Sequence, residues 1–86
     1  MSTGGYENAV AVILISAEPG RERDVIKELR EIPEVKEALL LFGEYDVFAI
    51  IECEDFGILS DVVVKNIRNI EGVGSTKTLT AAPMLD

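Results

Sequence analysis

Leu39-Leu40-Leu41-Phe42-Gly43-Glu44-Tyr45-Asp46-Val47-Phe48-Ala49-Ile50-Ile51 stands at the middle of the chain, and the fold follows from how it is read. Two apolar runs flank a short loop that contains one glycine, which is the pattern of a β-hairpin. The first run extends back to Val35 (VKEALLLF, Val35 to Phe42), and the second runs on to Cys53 (VFAIIEC, Val47 to Cys53). Upstream, Pro33 stops a helical segment, Arg21 to Ile32, whose Val25, Leu29 and Ile32 recur at helical spacing with Ile26 beside them. Before that lie the turn Glu18-Pro19-Gly20 and a β-branched run, Ala9 to Ala17 (AVAVILISA), read as a strand. Downstream, Asp55 is placed to cap a second helix carrying Leu59, Val63, Ile67 and Ile70, and Gly72 ends it. A last strand follows from Val73 to about Ala82, closed by Pro83.

The order is β-α-β-β-α-β. Two right-handed crossovers around a hairpin predict the α+β ferredoxin-like plait: a four-stranded antiparallel sheet with two helices on one face. The halves echo each other, since Ile32-Pro33-Glu34-Val35 and Ile70-Glu71-Gly72-Val73 stand at equivalent helix-to-strand joints. Residues 1–8 read as a flexible tail without a basic residue, not a signal peptide, and residues 9–86 as one domain.

Composition narrows the function. Of 86 residues, 48% are hydrophobic and 28% charged, which is core-rich for a chain that buries only ~60–65% of its unfolded surface. Helices cover one sheet face, yet the strands are apolar on both. Val10, Val12 and Leu14 oppose Ala11, Ile13 and Ile15, and Phe48 and Ile50 oppose Val47, Ala49 and Ile51. The uncovered face predicts a homodimer, a two-layer α/β sandwich doubled through its sheets, with higher assembly beyond it. A net charge of −8 argues against direct binding to DNA or an anionic membrane, and no apolar run approaches the ~20 residues of a membrane span. With no histidine and one cysteine, there is no Ser-His-Asp triad, no multi-cysteine zinc site and no internal disulfide. No cofactor or metal is expected, the chain is not read as an enzyme, and a cytoplasmic location is the expectation.

Two segments stand out as candidate sites. At Gly43-Glu44-Tyr45-Asp46, glycine supplies a positive φ. As an ordinary turn, Asp46 would hydrogen-bond nearby amides; as a site, backbone amides would face a ligand carboxylate and Asp46 its ammonium. In Ser75-Thr76-Lys77-Thr78-Leu79-Thr80 the threonines alternate along one strand face, either as good strand formers or as hydroxyl donors. Cys53, without a neighbouring base, reads as a small buried hydrophobe.

Taken together, Pro33-x-Val35, Phe42-Gly43-Glu44-Tyr45-Asp46-Val47, Glu54-Asp55 and Ile70-x-Gly72-Val73-x-x-Thr76-x-Thr78 resemble the effector-binding domain of the leucine-responsive regulator/asparagine regulator (Lrp/AsnC) family, also called the RAM domain. The resemblance covers about residues 9–82. It implies dimers paired through their sheets, rings of dimers, and a small amino-acid-like effector bound between dimers near the hairpin. It also implies Gly43, Tyr45, Asp46, Thr76 and Thr78 as ligand-binding positions. Regulators of that family carry a helix-turn-helix ahead of this domain, and only eight residues precede the first strand here, so the chain resembles a stand-alone module able to co-assemble with full-length relatives. The ACT module, an amino-acid-binding domain of the same element order, is the alternative. It would move the site to Glu18-Pro19-Gly20, while a small dimeric ferredoxin-like enzyme is a third reading.

Overall fold

The computed structural model describes residues 8–82. The expected tail over 1–8, Asn8 excepted, and the closing Pro83 lie outside the described residues. The elements are β1 (Ala9–Ala17), α1 (Glu22–Leu29), β2 (Val35–Leu40), β3 (Val47–Cys53), α2 (Phe56–Asp61, continuing as a π-helix over Val62–Ile67) and β4 (Val73–Thr80). They form one four-stranded sheet, order β2-β3-β1-β4, with every neighbouring pair antiparallel. This is the ferredoxin-like plait expected from the element order.

Each half closes in the same way. Val35 N–H donates to Ile32 O (3.0 Å), and Val73 N–H donates to Ile70 O (3.1 Å) at the matching joint. The residue before each of these strands is then stitched to the neighbouring strand: Glu52 N–H donates to Glu34 O, and Glu18 N–H to Gly72 O. Gly72 adopts φ +99°, and a Cβ there would stand 2.9 Å from Arg21 Cβ, so both backbone conformation and space require glycine.

Several boundaries differ from the sequence reading, among them the second helix, which ends at Ile67 rather than at Gly72, and β4, which ends at Thr80 rather than about Ala82. α1 ends at Leu29 rather than Ile32, because Glu31 and Ile32 donate to carbonyls three residues back and tighten the last turn. β2 ends at Leu40 rather than Phe42: Leu40 faces Val47 as the last strand pair, and Leu41 N–H closes the loop on Asp46 O (2.8 Å). The second helix starts as expected, with Asp55 Oδ1 accepting from Ile58 N–H (2.8 Å). It then widens, so that Arg68 N–H reaches back five residues to Val63 O. The widening begins at Val62-Val63-Val64, three successive β-branched residues that crowd an ordinary helical turn.

The core lies between the helices and one sheet face. Ala9, Ala11, Ile13 and Ile15 of β1 and Val47, Ala49, Ile51 and Cys53 of β3 pack against Val25, Ile26 and Leu29 of α1 and Leu59, Val62, Val63 and Ile67 of α2. The structure also decides which alternation faces away. Val10, Val12, Leu14, Phe48 and Ile50 are half-buried on the far face, with Leu39 and Leu79 exposed beside them.

This assignment separates two neighbouring substitutions. Ile13→Glu places a charge at a fully buried site with no partner, at a cost of several kcal/mol, comparable with a domain's whole stability of ~5–15 kcal/mol. It should abolish the cooperative thermal transition followed by circular dichroism, whereas Leu14→Glu should retain one.

Candidate functional site

The hairpin is shaped by backbone bonds. Gly43 takes φ +135° with open space where a Cβ would sit, so the turn itself, not crowding, calls for glycine. Asp46 is held from both sides: its N–H donates to Ile15 O (2.9 Å) and its carbonyl accepts from Leu41 N–H. Its carboxylate is also engaged, Oδ2 accepting from Ala17 N–H at 2.7 Å. A turn residue was expected to bond nearby amides. Instead Asp46 reaches across 29 positions of sequence to cap the end of β1. A carboxylate has about four acceptor positions, so this bond leaves room for another donor. Tyr45 beside it is half-buried.

The threonines lie elsewhere. Thr76, Thr78 and Thr80 stand opposite Ile15, Ile13 and Ala11, on the face of the sheet that carries the helices. β4 is an edge strand that α2 covers only partly. Between them runs an open groove of about 750 Å³, lined by Thr76, Thr78 and Thr80 on one side and Phe56, Ser60, Val64 and Arg68 on the other. Ser75 and Gly74 close its end, where Ser75 N–H donates to Ser16 Oγ (3.0 Å) and the two serine hydroxyls are bonded at 2.6 Å.

The five residues singled out in the sequence are therefore divided. Thr76 and Thr78 share the groove, and Gly43, Tyr45 and Asp46 do not line it. The two groups share one end of the sheet, in the row Val47–Ile15–Thr76, separated by β1 and thus by about 10 Å across two strand spacings. The helix side of the groove was missed in the sequence. Its signal is nonetheless present: Phe56, Ser60, Val64 and Arg68 recur every four residues, alongside the buried stripe Leu59, Val63 and Ile67.

Glu18-Pro19-Gly20, the site of the ACT alternative, forms an exposed turn closed by Arg21 N–H on Glu18 O (2.9 Å). Glu22 and Asp24 occupy the helix turn that follows and oppose anion binding there. Cys53 is 6% exposed, and burial first, then the Glu34 and Asp55 carboxylates, raise its thiol above the ordinary 9.0. Among the described residues, no group of three or more His, Cys, Asp or Glu side chains is placed to hold a metal ion. No helix among the described residues is long and apolar enough to cross a membrane.

The Lrp/AsnC ligand binding domain matches residues 10–82. The chain belongs to the Lrp/AsnC family. It is 36% identical over 74 residues to an uncharacterised HTH-type transcriptional regulator of Pyrococcus abyssi, covering 86% of this chain and 46% of that protein. The chain thus spans about half the length of the curated relatives it matches first. It is also 36% identical to a homocitrate synthase of Sulfurisphaera tokodaii over 73 residues, 84% of this chain but 16% of the enzyme. Among solved structures, that of FFRP-DM1 superposes with a TM-score of 0.83 at 34% identity, covering 86% of this chain and 99% of that one. The Lrp/AsnC membership bears out the resemblance drawn from the hairpin and the last strand.

Two measurements check this geometry. Asp46→Ala removes the acceptor of a part-buried N–H and should cost about 1–3 kcal/mol, read as a lowered thermal midpoint. A hairpin-tip residue would be expected to carry little stability, but this one ties β1 to the turn. Cys53 should label slowly with a thiol reagent near neutral pH in the folded chain and rapidly once it is unfolded.

Proposed function

We propose that the chain is an effector-binding module of Lrp/AsnC-type regulation that takes up a small amino acid or a related zwitterion. Asp46 meets the ammonium, amides around Gly43 meet the carboxylate, Thr76 and Thr78 donate hydroxyl hydrogen bonds, and Tyr45 forms part of the wall. One observation carries the reading: the ligand binding domain accounts for residues 10–82, and within that span the chain keeps a groove open, lined by hydroxyls and a guanidinium. A homocitrate synthase is 36% identical to this chain over about a sixth of the enzyme's length. That pairing supports a sensing role separable from DNA contact, and on this reading the module itself is not a catalyst.

The sheet face away from the helices supports a homodimer. Val12, Leu14, Phe48, Ile50, Leu39 and Leu79 form a continuous apolar surface that a second copy would cover. With a net charge of −8, the module would reach DNA only through partners, full-length relatives among them, in the cytoplasm.

Titration calorimetry against the twenty amino acids tests the effector. Asp46→Asn keeps an oxygen for Ala17 N–H but loses the charge, so it should weaken binding about ten- to a hundredfold while sparing the fold. Glu18→Ala should bind as the parent does. Binding by none of the twenty, or loss in Glu18→Ala with Asp46→Asn unaffected, overturns the assignment. Sedimentation should show a dimer or larger species at micromolar concentration and a monomer for Leu14→Glu; a folded wild-type monomer contradicts the sheet pairing.

A further inference from the structure

The β2 edge of the sheet carries a basic stripe that the proposed effector site does not use. Arg23, Lys27 and Arg30 stand at i, i+4 and i+7 along α1 and its C-cap, so they share one face of the helix. All three are exposed, and they are three of the eight basic residues in a chain of net charge −8. None is held in an ion pair: among the described residues the pairs are Arg21–Glu71 and Lys65–Asp61. The stripe lines an open groove of about 540 Å³ beside β2, together with Ile26, Leu39 and Leu40, and Glu31 is the one acid there. Leu39 is 44% and Leu40 52% exposed.

The strand alongside has free backbone groups. Leu41 N–H turns inward to Asp46 O, and Ala38 O turns outward, accepting from Arg30 Nη2 at 3.0 Å. By alternation, Ala38 and Leu40 direct their N–H and C=O groups away from β3, toward the open edge. β2 is the outermost strand on this side, and among the described residues Arg30 alone bonds to that edge. Ala38 O keeps a second lone pair.

A bare strand edge beside a helix is where an extended peptide adds as a further strand. Charge opposes a second copy of β2 in that place. Two-fold antiparallel pairing of β2 with β2 would keep both α1 helices on one face and set their basic stripes against each other. A strand of opposite charge meets no such conflict. Its residue opposite Leu40 exchanges both hydrogen bonds with it and carries its side chain on the same, helix-side face. Acids at alternate positions then recur every ~6.6 Å along the stripe, which extends ~10 Å from Arg23 to Arg30, more than one small anion spans. The intervening side chains fall on the other face, beside Leu39.

We propose that the β2 edge takes an extended segment of a partner protein in which acidic and apolar residues alternate. The segment pairs antiparallel with β2, its acids against Arg23, Lys27 and Arg30 and its apolar residues beside Leu39. This surface lies at the edge opposite the α2/β4 groove and does not rest on the effector site.

Fluorescence anisotropy with a labelled peptide of about nine residues, alternating glutamate and valine and capped at both ends, tests the contact. It should bind the wild-type chain saturably and more weakly as salt is added, and the lysine–valine counterpart should not bind. Arg23→Gln combined with Lys27→Gln, both exposed and outside the core, should keep the fold by circular dichroism and weaken binding about tenfold. Backbone pairing is read in the peptide, without touching the protein. N-methylation of the glutamate amides, which face β2 in this register, should abolish binding, whereas N-methylation of the valine amides, which face solvent, should spare it. Any of four results overturns the proposal: no saturable binding, equal binding of the lysine–valine peptide, an unaffected double variant, or both methylated peptides behaving alike. Competition by a single-stranded oligonucleotide of equal charge, as effective as unlabelled peptide, would make the stripe a general anion surface and overturn it too.

Discussion

β1 is the strand on which the molecule depends. It pairs with β3 on one side and β4 on the other, and it is apolar on both faces. Ile13 and Ile15 are sealed beneath the helices, while Val12 and Leu14 look the other way. Both crossovers return their chain to its neighbourhood: the hairpin is anchored to its end through Asp46, and the last strand through Ser16 and Ala17. A single sheet with helices on one side cannot satisfy such a strand. The second layer that would do so is, in our proposal, another copy of the same sheet, and this places the strongest burial of the assembly opposite the helices.

Much of the fold was legible because the chain states each element twice. The helix-to-strand joints at Ile32–Val35 and Ile70–Val73 look alike in the sequence and make the same bond in the structure. Asp55 marks the start of the second helical segment by side-chain capping and acts where expected, whereas the helix stops at Ile67, short of Gly72, whose positive φ serves the joint into β4 instead. Local chemistry also explains the misses. Leu41 and Phe42 look like strand residues, but β3 has no partner left for them beyond Val47. The π-helix over Val62–Ile67 leaves the apolar stripe of an α-helix intact, since Leu59, Val63 and Ile67 are buried either way, so periodicity gave no sign of it.

The candidate site was half legible. The hairpin and the threonine strand stand out because glycine, aspartate and alternating threonine are conspicuous in a run of aliphatic residues. Their separation by β1 is a matter of strand order, which spacing along the chain does not report. The helix side of the groove was hidden for another reason. Phe56, Ser60, Val64 and Arg68 differ in chemistry, and a search for repeated residue types passes over them even though their four-residue spacing is regular. Asp46 shows the converse: the residue we propose meets the ligand's ammonium also ties β1 to the hairpin, so its charge and its acceptor geometry need separate substitutions.

The account turns on whether the sheet face away from the helices is buried in solution. If folding and sheet pairing are linked, the thermal midpoint must rise with protein concentration, since association stabilises only the folded chain. Calorimetric melts of the wild-type chain over a hundredfold range of concentration measure this directly. A midpoint that climbs steadily with concentration is the predicted result. A midpoint independent of concentration, with a folded monomer at the dilute end, would contradict it.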